Sequence, residues 1–170
     1  MTRQGDLSFR EAGPADYAVT RRLVDEAFRP EDVVTFLDDF RADTCVLGEW
    51  VAEAAGEPVG HVAFSRVWVE QLGGTRVAAG ILTPLAVWPR WQRKGVGQAL
   101  MRYSLAALEA RGEALFFVLG HPEYYPKAGF SSQRAEVVQS PWGAEPAFMV
   151  RGTEVPAGKL VLPASIAAHH

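Results

Sequence analysis

Apolar positions in this chain change rhythm several times, and each change marks an element. Leu7 and Phe9 alternate with polar neighbours, which predicts a short strand over Leu7–Glu11. Gly13-Pro14 breaks it. Tyr17, Val24, Ala27 and Phe28 then recur near helical spacing, so Ala15–Phe28 reads as an amphipathic helix that ends at Arg29-Pro30. Glu31–Arg41 reads as a second helix, with acids at its start and Val33, Val34, Phe36, Leu37 and Phe40 apolar. Val46–Ala54 and Val59–Val69 form a hairpin about the turn Ala55-Gly56-Glu57-Pro58. Gly73-Gly74 turns the chain again into Arg76–Val87, a long apolar strand with a central place in the sheet. Pro84 lacks the N–H that a ladder needs, so a bulge near 83–84 is expected.

The clearest helix is Gly97–Ala110, with Val96, Leu100, Tyr103, Ala107 and Leu108 on one face and Gly112 closing its end. Leu115–Leu119 is apolar throughout, as in the interior of a sheet. Gly120–Phe130 is a short turn or helix. Residues 135–139 and 147–151 are the last strands, separated by the loop Ser140–Pro146. The order β-α-α-β-β-β-α-β-α-β-β describes a mixed α/β domain, not a regular βαβ array.

Composition narrows the class. A chain of 170 residues, 48% hydrophobic and 22% charged, suits one domain with a sizeable core. That domain is expected over residues 1–166, with Ala167-Ala168-His169-His170 a purification-tag remnant. A formal net charge of −3 gives no global attraction to nucleic acid or anionic membrane. There is no apolar run of about 18 residues to span a bilayer, and Met1–Arg10 lacks an apolar signal core. The single cysteine, Cys45, excludes an intramolecular disulfide and a Cys-cluster zinc site. It reads as a small buried hydrophobe, and the location as cytoplasmic. No second histidine accompanies His121 to make a metal site.

The chemistry concentrates in Gln92-Arg93-Lys94-Gly95-Val96-Gly97, between the long strand and the clearest helix. A helix start offers unpaired N–H groups and positive potential, and glycines let an anion approach the backbone. A phosphate-bearing ligand follows. A dinucleotide fingerprint would need a third glycine where Leu100 stands, and no P-loop pattern exists.

The pattern Gln92-x-x-Gly95-x-Gly97 at a helix start resembles the GCN5-related N-acetyltransferase superfamily, and so does the whole run Leu85–Leu100. Tyr124-Tyr125-Pro126-Lys127-Ala128-Gly129-Phe130 is similar to that family's Y-x-x-x-G-F element. Residues 60–65 (Gly-His-Val-Ala-Phe-Ser) and 119–125 look most like a group of small bacterial acetyltransferases. The resemblance implies a central mixed sheet flanked by helices and splayed between the fourth and fifth strands. It implies acetyl-CoA as cosubstrate and a small-molecule or peptide amine as acceptor. Gln92, Arg93, Lys94, Gly95, Val96 and Gly97 would hold the diphosphate. Backbone groups of Leu85, Ala86 and Val87 would pair with the pantetheine arm, and the Val87 N–H would polarise the thioester carbonyl. Tyr125 matches the position of the acid that protonates the leaving thiolate; Pro126 is a departure that disfavours αR at Tyr125. Homodimers are common in the family.

The general base is open. Ile81–Val87 carries no carboxylate, and His61 and Glu70 are the candidates in the hairpin. That missing carboxylate also leaves open a CoA-binding sensor without turnover. The acceptor site is expected from the 28–45 segment, the 65–76 loop and the 138–147 loop, with Phe28, Phe36, Phe40, Trp68, Trp142, Asp38, Asp39, Glu70 and Glu145.

Overall fold

The computed structural model describes residues 6–28, 32–143 and 145–168. Eight strands form one sheet: β1 (Leu7–Glu11), β2 (Val46–Ala54), β3 (Glu57–Glu70), β4 (Arg76–Val87), β5 (Phe116–Leu119), β6 (Val138–Gln139), β7 (Phe148–Arg151) and β8 (Gly158–Val161). The helices are α1 (Tyr17–Phe28), α2 (Asp32–Ala42), α3 (Val96–Ala110) and α4 (Ala164–Ala167). The main path is β1-β2-β3-β4-β5-β7, with β8 pairing β3 and β6. All its neighbours are antiparallel except β4 and β5, which run parallel.

Period-2 alternation splits the central strands between two layers. Val62 and Phe64 of β3, with Trp50 and Ala52 of β2 and Leu82 of β4, pack against Val96, Leu100, Met101, Leu105 and Leu108 of α3. On the other face, Ala63 and Ala86 pack against Leu23 and Val24 of α1 and Phe36, Leu37 and Phe40 of α2. Tyr103 does not join the α3 core as its spacing suggests. It is 44% exposed and stacks on Phe9 of β1 at 5.3 Å, while Met101 and Leu105 fill the interior.

β4 carries the irregularity expected of Pro84. Its register against β3 shifts between Val62↔Leu85 and Phe64↔Leu82, opposite Thr83 and Pro84. The consequence is directional. Below the shift, Gly80 N–H donates to Leu115 of the β5 side at 2.9 Å, so even-numbered residues face β5 there. Above it, Trp88 N–H donates to Val59 at 3.0 Å, and ladder alternation then turns the Ala86 peptide toward His61. Leu85 and Val87 therefore present their N–H groups on the β5 side. β5 pairs with β4 only at Gly80 and Ile81, so the strands diverge beyond. The two N–H groups open into a gap in the sheet.

Three expectations need correction. The 65–76 stretch is not a loop: β3 runs to Glu70 and β4 starts at Arg76, leaving a tight turn. The strand expected over 135–139 shrinks to Val138–Gln139, because a 3-10 turn, Arg134–Val137, takes its first residues, while the turn expected within Gly120–Phe130 is the 3-10 turn Tyr125–Ala128, closed by Gly129 in the left-handed conformation. Cys45 is half-buried, not a core residue. The expected helix break at Arg29-Pro30, the Val33 and Val34 side chains, and His169 and His170 lie outside the described residues.

Candidate active site

Gln92 ends a 3-10 turn in extended conformation, and Arg93 and Gly95 then take positive φ of 61° and 82°. Gly95 is well suited to this left-handed conformation, and as the cap residue of α3 it brings no side-chain hydrogen bond. The N–H groups of the first turn of α3 are thus left for an outside acceptor. Alternating backbone handedness of this kind curls N–H groups into an anion-binding concavity. Gln92 Nε2 donates to the Val87 carbonyl at 3.0 Å, which ties this turn to the end of β4.

The turn, the strand gap and the segment after β5 surround one cleft of ≈ 690 Å³. Leu85, Ala86, Val87, Gln92, Arg93, Gly95, Val96, Gly97 and Tyr125 all line it, so nine of the ten residues singled out from sequence meet in one place. Lys94 is the tenth. Its Nζ sits 5.2 Å from the Trp91 ring centroid, and it lines a neighbouring hollow with Asp6, Glu57 and Arg90. His121, read as a turn residue, is exposed and lines the cleft. A second hollow of ≈ 800 Å³ over residues 132–158 shares no lining residue with it.

Two tyrosines form the β5-side wall. Tyr125 is 9% exposed, with its ring over Gly120 and edge-on to Phe130 at 6.0 Å. A side chain at Gly120 would begin 2.3 Å from that ring, so only glycine lets the ring sit there. Burial pushes the Tyr125 hydroxyl well above the usual phenol range, and neighbouring Tyr124 adds to this. The group stays protonated and able to donate. Tyr124, the less favoured donor of the two on sequence, reaches α3: its hydroxyl lies 2.2 Å from where a Gly97 side chain would begin. Gln98 Nε2 holds its carbonyl at 2.9 Å.

The two candidate bases separate clearly. Glu70 faces Arg76 at 3.9 Å and pairs with Lys159, nine residues along β3 from His61, or roughly 30 Å. His61 is fully buried and lies beside Ala86 in register. Its Nε2 is 2.8 Å from Glu49 Oε1. Glu49 also accepts from Arg41, with Nη2 at 2.9 Å, and Arg41 Nη2 donates to Thr20 at 2.7 Å. Burial works against the Glu49 carboxylate, but the bonds from His61 and Arg41 outweigh it and hold its pKa below the ordinary value. Burial also drives the His61 pKa down.

The proposed aromatic acceptor residues are mostly structural. Phe36 and Phe40 are core, Trp142 packs on Phe148 at 6.0 Å, and the Trp68 ring lies under Arg76. The Phe28 side chain lies outside the described residues.

A family model described as an acetyltransferase (GNAT) domain matches residues 48–132, which run from within β2 past β5 and hold both cleft motifs. The chain belongs to the GNAT acetyltransferase family. Among curated GNAT relatives, the uncharacterized N-acetyltransferase YhbS of Escherichia coli K12 is 29% identical over 139 residues, 81% of each chain. The uncharacterized N-acetyltransferase YjhQ of the same organism is 40% identical over 80 residues, which is 47% of this chain and 44% of YjhQ. A GNAT family acetyltransferase from Brucella melitensis, solved in complex with acetyl-CoA, superposes with a TM-score of 0.78 at 28% identity, covering 94% of this chain and 97% of that one. The structure of Escherichia coli YhbS in complex with CoA has a TM-score of 0.85 at 22% identity, over 95% and 92% of the two chains, and shares the fold.

Proposed function

We propose that this GNAT protein moves an acetyl group from acetyl-CoA to a primary amine by direct attack within a ternary complex. The observation that carries the reading is the strand register that turns the Leu85 and Val87 N–H groups into the β4–β5 gap, in line with the first turn of α3, which has no side-chain cap. That line suits a ligand with amides along its length and a diphosphate at one end. The acetyl-CoA held by the Brucella relative fits that description.

In this reading the α3 turn and Arg93 take the diphosphate. The Leu85 N–H anchors the pantetheine arm. The Val87 N–H points at the thioester oxygen and stabilises the negative charge that grows there as the amine nitrogen adds to the carbonyl carbon. The C–S bond then breaks, and Tyr125 supplies a proton to the departing thiolate. Bringing donor and acceptor together in one cleft supplies much of the acceleration. A lone Cys45 suits a reducing, cytoplasmic setting.

Calorimetric titration with acetyl-CoA, using NADH and ATP as controls, tests the donor site. Binding of acetyl-CoA alone is expected. A panel of amines screened for thiol release then tests transfer. A folded sample that binds none of the three nucleotides overturns the reading.

A further inference from the structure

His61 is a buried base with an unused lone pair. The Glu49 carboxylate is ionised and can only accept, so the proton between the two residues belongs to His61 Nε2. With its pKa lowered, the imidazole is neutral, and Nδ1 is left as a bare acceptor. Among the described residues Nδ1 has no hydrogen-bond partner, although His61 is 0% exposed. Buried polar atoms are seldom left in this state, and an exception calls for an explanation such as an ordered water, strain or a catalytic role. Cross-strand pairing puts His61 directly beside Ala86, on the same face of the sheet. Ala86 lines the cleft together with Ala27 of α1. On either side of it, Leu85 and Val87 carry the N–H groups assigned to the donor.

We propose, building on the acetyltransferase reading, that His61 Nδ1 is the proton acceptor for the attacking amine, reached through one water at the Ala27–Ala86 wall. As the N–C bond forms, the nitrogen releases a proton to that water, and the water passes one of its own to Nδ1. The resulting imidazolium is held by Glu49. The C–S bond breaks, and the thiolate takes its proton from Tyr125. His61 then gives its proton to solvent and Tyr125 takes one up from solvent, so both residues return to their starting states. Glu49 of β2, Arg41 of α2, and Asp16 before α1 are the charged groups that act on the ring, with Thr20 and Tyr17 of α1 holding Arg41. In this arrangement β4 needs no carboxylate of its own: the base is His61 on the adjacent β3, and Glu49 on β2 sets its tautomer.

The test uses hydroxylamine as acceptor, which is unprotonated at neutral pH, and reads acetohydroxamate formation across pH. His61→Gln keeps a donor toward Glu49 and removes Nδ1. We expect it to bind acetyl-CoA within about twofold of wild type and to form hydroxamate roughly 100-fold more slowly, the size of a general-base contribution. The acid limb seen in wild type beyond that of hydroxylamine itself is expected to vanish. A His61→Gln protein with wild-type rate and profile overturns the proposal. So does a wild type that binds acetyl-CoA yet forms no hydroxamate. Absence of acetyl-CoA binding sinks the acetyltransferase reading instead. Nitrogen NMR of histidine-labelled wild type needs no variant: a protonated Nε2 and bare Nδ1 at His61 are expected, and a protonated Nδ1 overturns the assignment.

Discussion

The Tyr124 hydroxyl fills the space in which a Gly97 side chain would start, 2.2 Å from an added Cβ, with Val87 Cγ2 3.6 Å away on the opposite wall. Gly97 does not need a left-handed backbone; it sits within α3 and is required because a tyrosine from beyond β5 leans on it. The glycine of the Gln92–Gly97 turn therefore serves packing across the cleft as well as access for an anion.

That relationship predicts a coupled pair. Gly97→Ala alone forces the Tyr124 ring aside and should cost about 1–3 kcal/mol, despite the better helix propensity of alanine. In a Tyr124→Phe background the nearest atom to the new methyl is Tyr124 Cζ at 3.5 Å, an ordinary contact. Most of the cost should then disappear. Thermal denaturation of the four proteins reads the coupling directly. Additive losses would mean that the ring does not hold this place in solution. Gly97→Glu, which adds charge as well as bulk, is expected to abolish acetyl-CoA binding in a folded protein.

Tyr125→Phe removes only the hydroxyl, while the ring stays against Gly120 and Phe130. Acetyl-CoA affinity should remain near wild type and kcat should fall about 10- to 100-fold with a true acceptor. Because burial raises the Tyr125 pKa, kcat should show no basic limb from this group at the ordinary phenol value of about 10. Unchanged turnover in Tyr125→Phe would reduce the residue to a packing role.

What could be read from sequence was what has local rhythm. The bounds of β4, Arg76–Val87, and the bulge at Pro84 came from an apolar run and a missing N–H. The Gln92–Gly97 turn came from the spacing of two glycines. β8 left no such trace: Gly158–Val161 is four residues long and is a strand because it pairs with Trp68–Glu70, about 90 residues earlier, and with Val138–Gln139. Tyr124 was equally illegible, since its meeting with Gly97 depends on the course of the chain through β5. The Arg41–Glu49–His61 cluster left a faint mark, Glu49 and His61 each flanked by apolar residues of a strand, but its geometry needed α2 to be laid across β2 and β3.

Asp16 gives a prediction in pH. It accepts two bonds from Arg10 at 2.7 Å and one from the Gly13 N–H at 2.9 Å. The Arg10 guanidinium leads in holding its carboxyl down to about 2, against burial, with the Gly13 bond adding to it. A carboxyl with a lower pKa when folded stabilises the fold above its unfolded pKa and loses that contribution as pH falls toward the folded value. The stabilisation should therefore be complete above pH about 5 and fade between about 4 and 2. Arg10 is 45% exposed, so solvent screening reduces the contribution to about 1–2 kcal/mol. Urea denaturation of Asp16→Asn should show that loss at pH 7 and almost none near pH 2. An equal gap at both values would assign the effect to packing.

Arg41 should be the costliest single loss on the surface that joins α2 to the sheet. Its side chain is 10% exposed and that of Glu49 6%, so neither charge is well solvated. Replacing Arg41 with alanine leaves the Glu49 carboxylate with His61 as its remaining bond partner. It also removes the cation from over the Tyr17 ring, 4.1 Å away, and the bond to Thr20. An uncompensated buried charge typically costs about 3–5 kcal/mol. To lessen that cost Glu49 should take up a proton at higher pH, so the Arg41→Ala protein should regain part of its stability relative to wild type as pH is lowered toward 5. Glu49→Gln in the same background should restore stability at pH 7 by removing the stranded charge. If the double variant is no more stable than Arg41→Ala, the loss comes from the missing guanidinium contacts with α1 and not from the carboxylate.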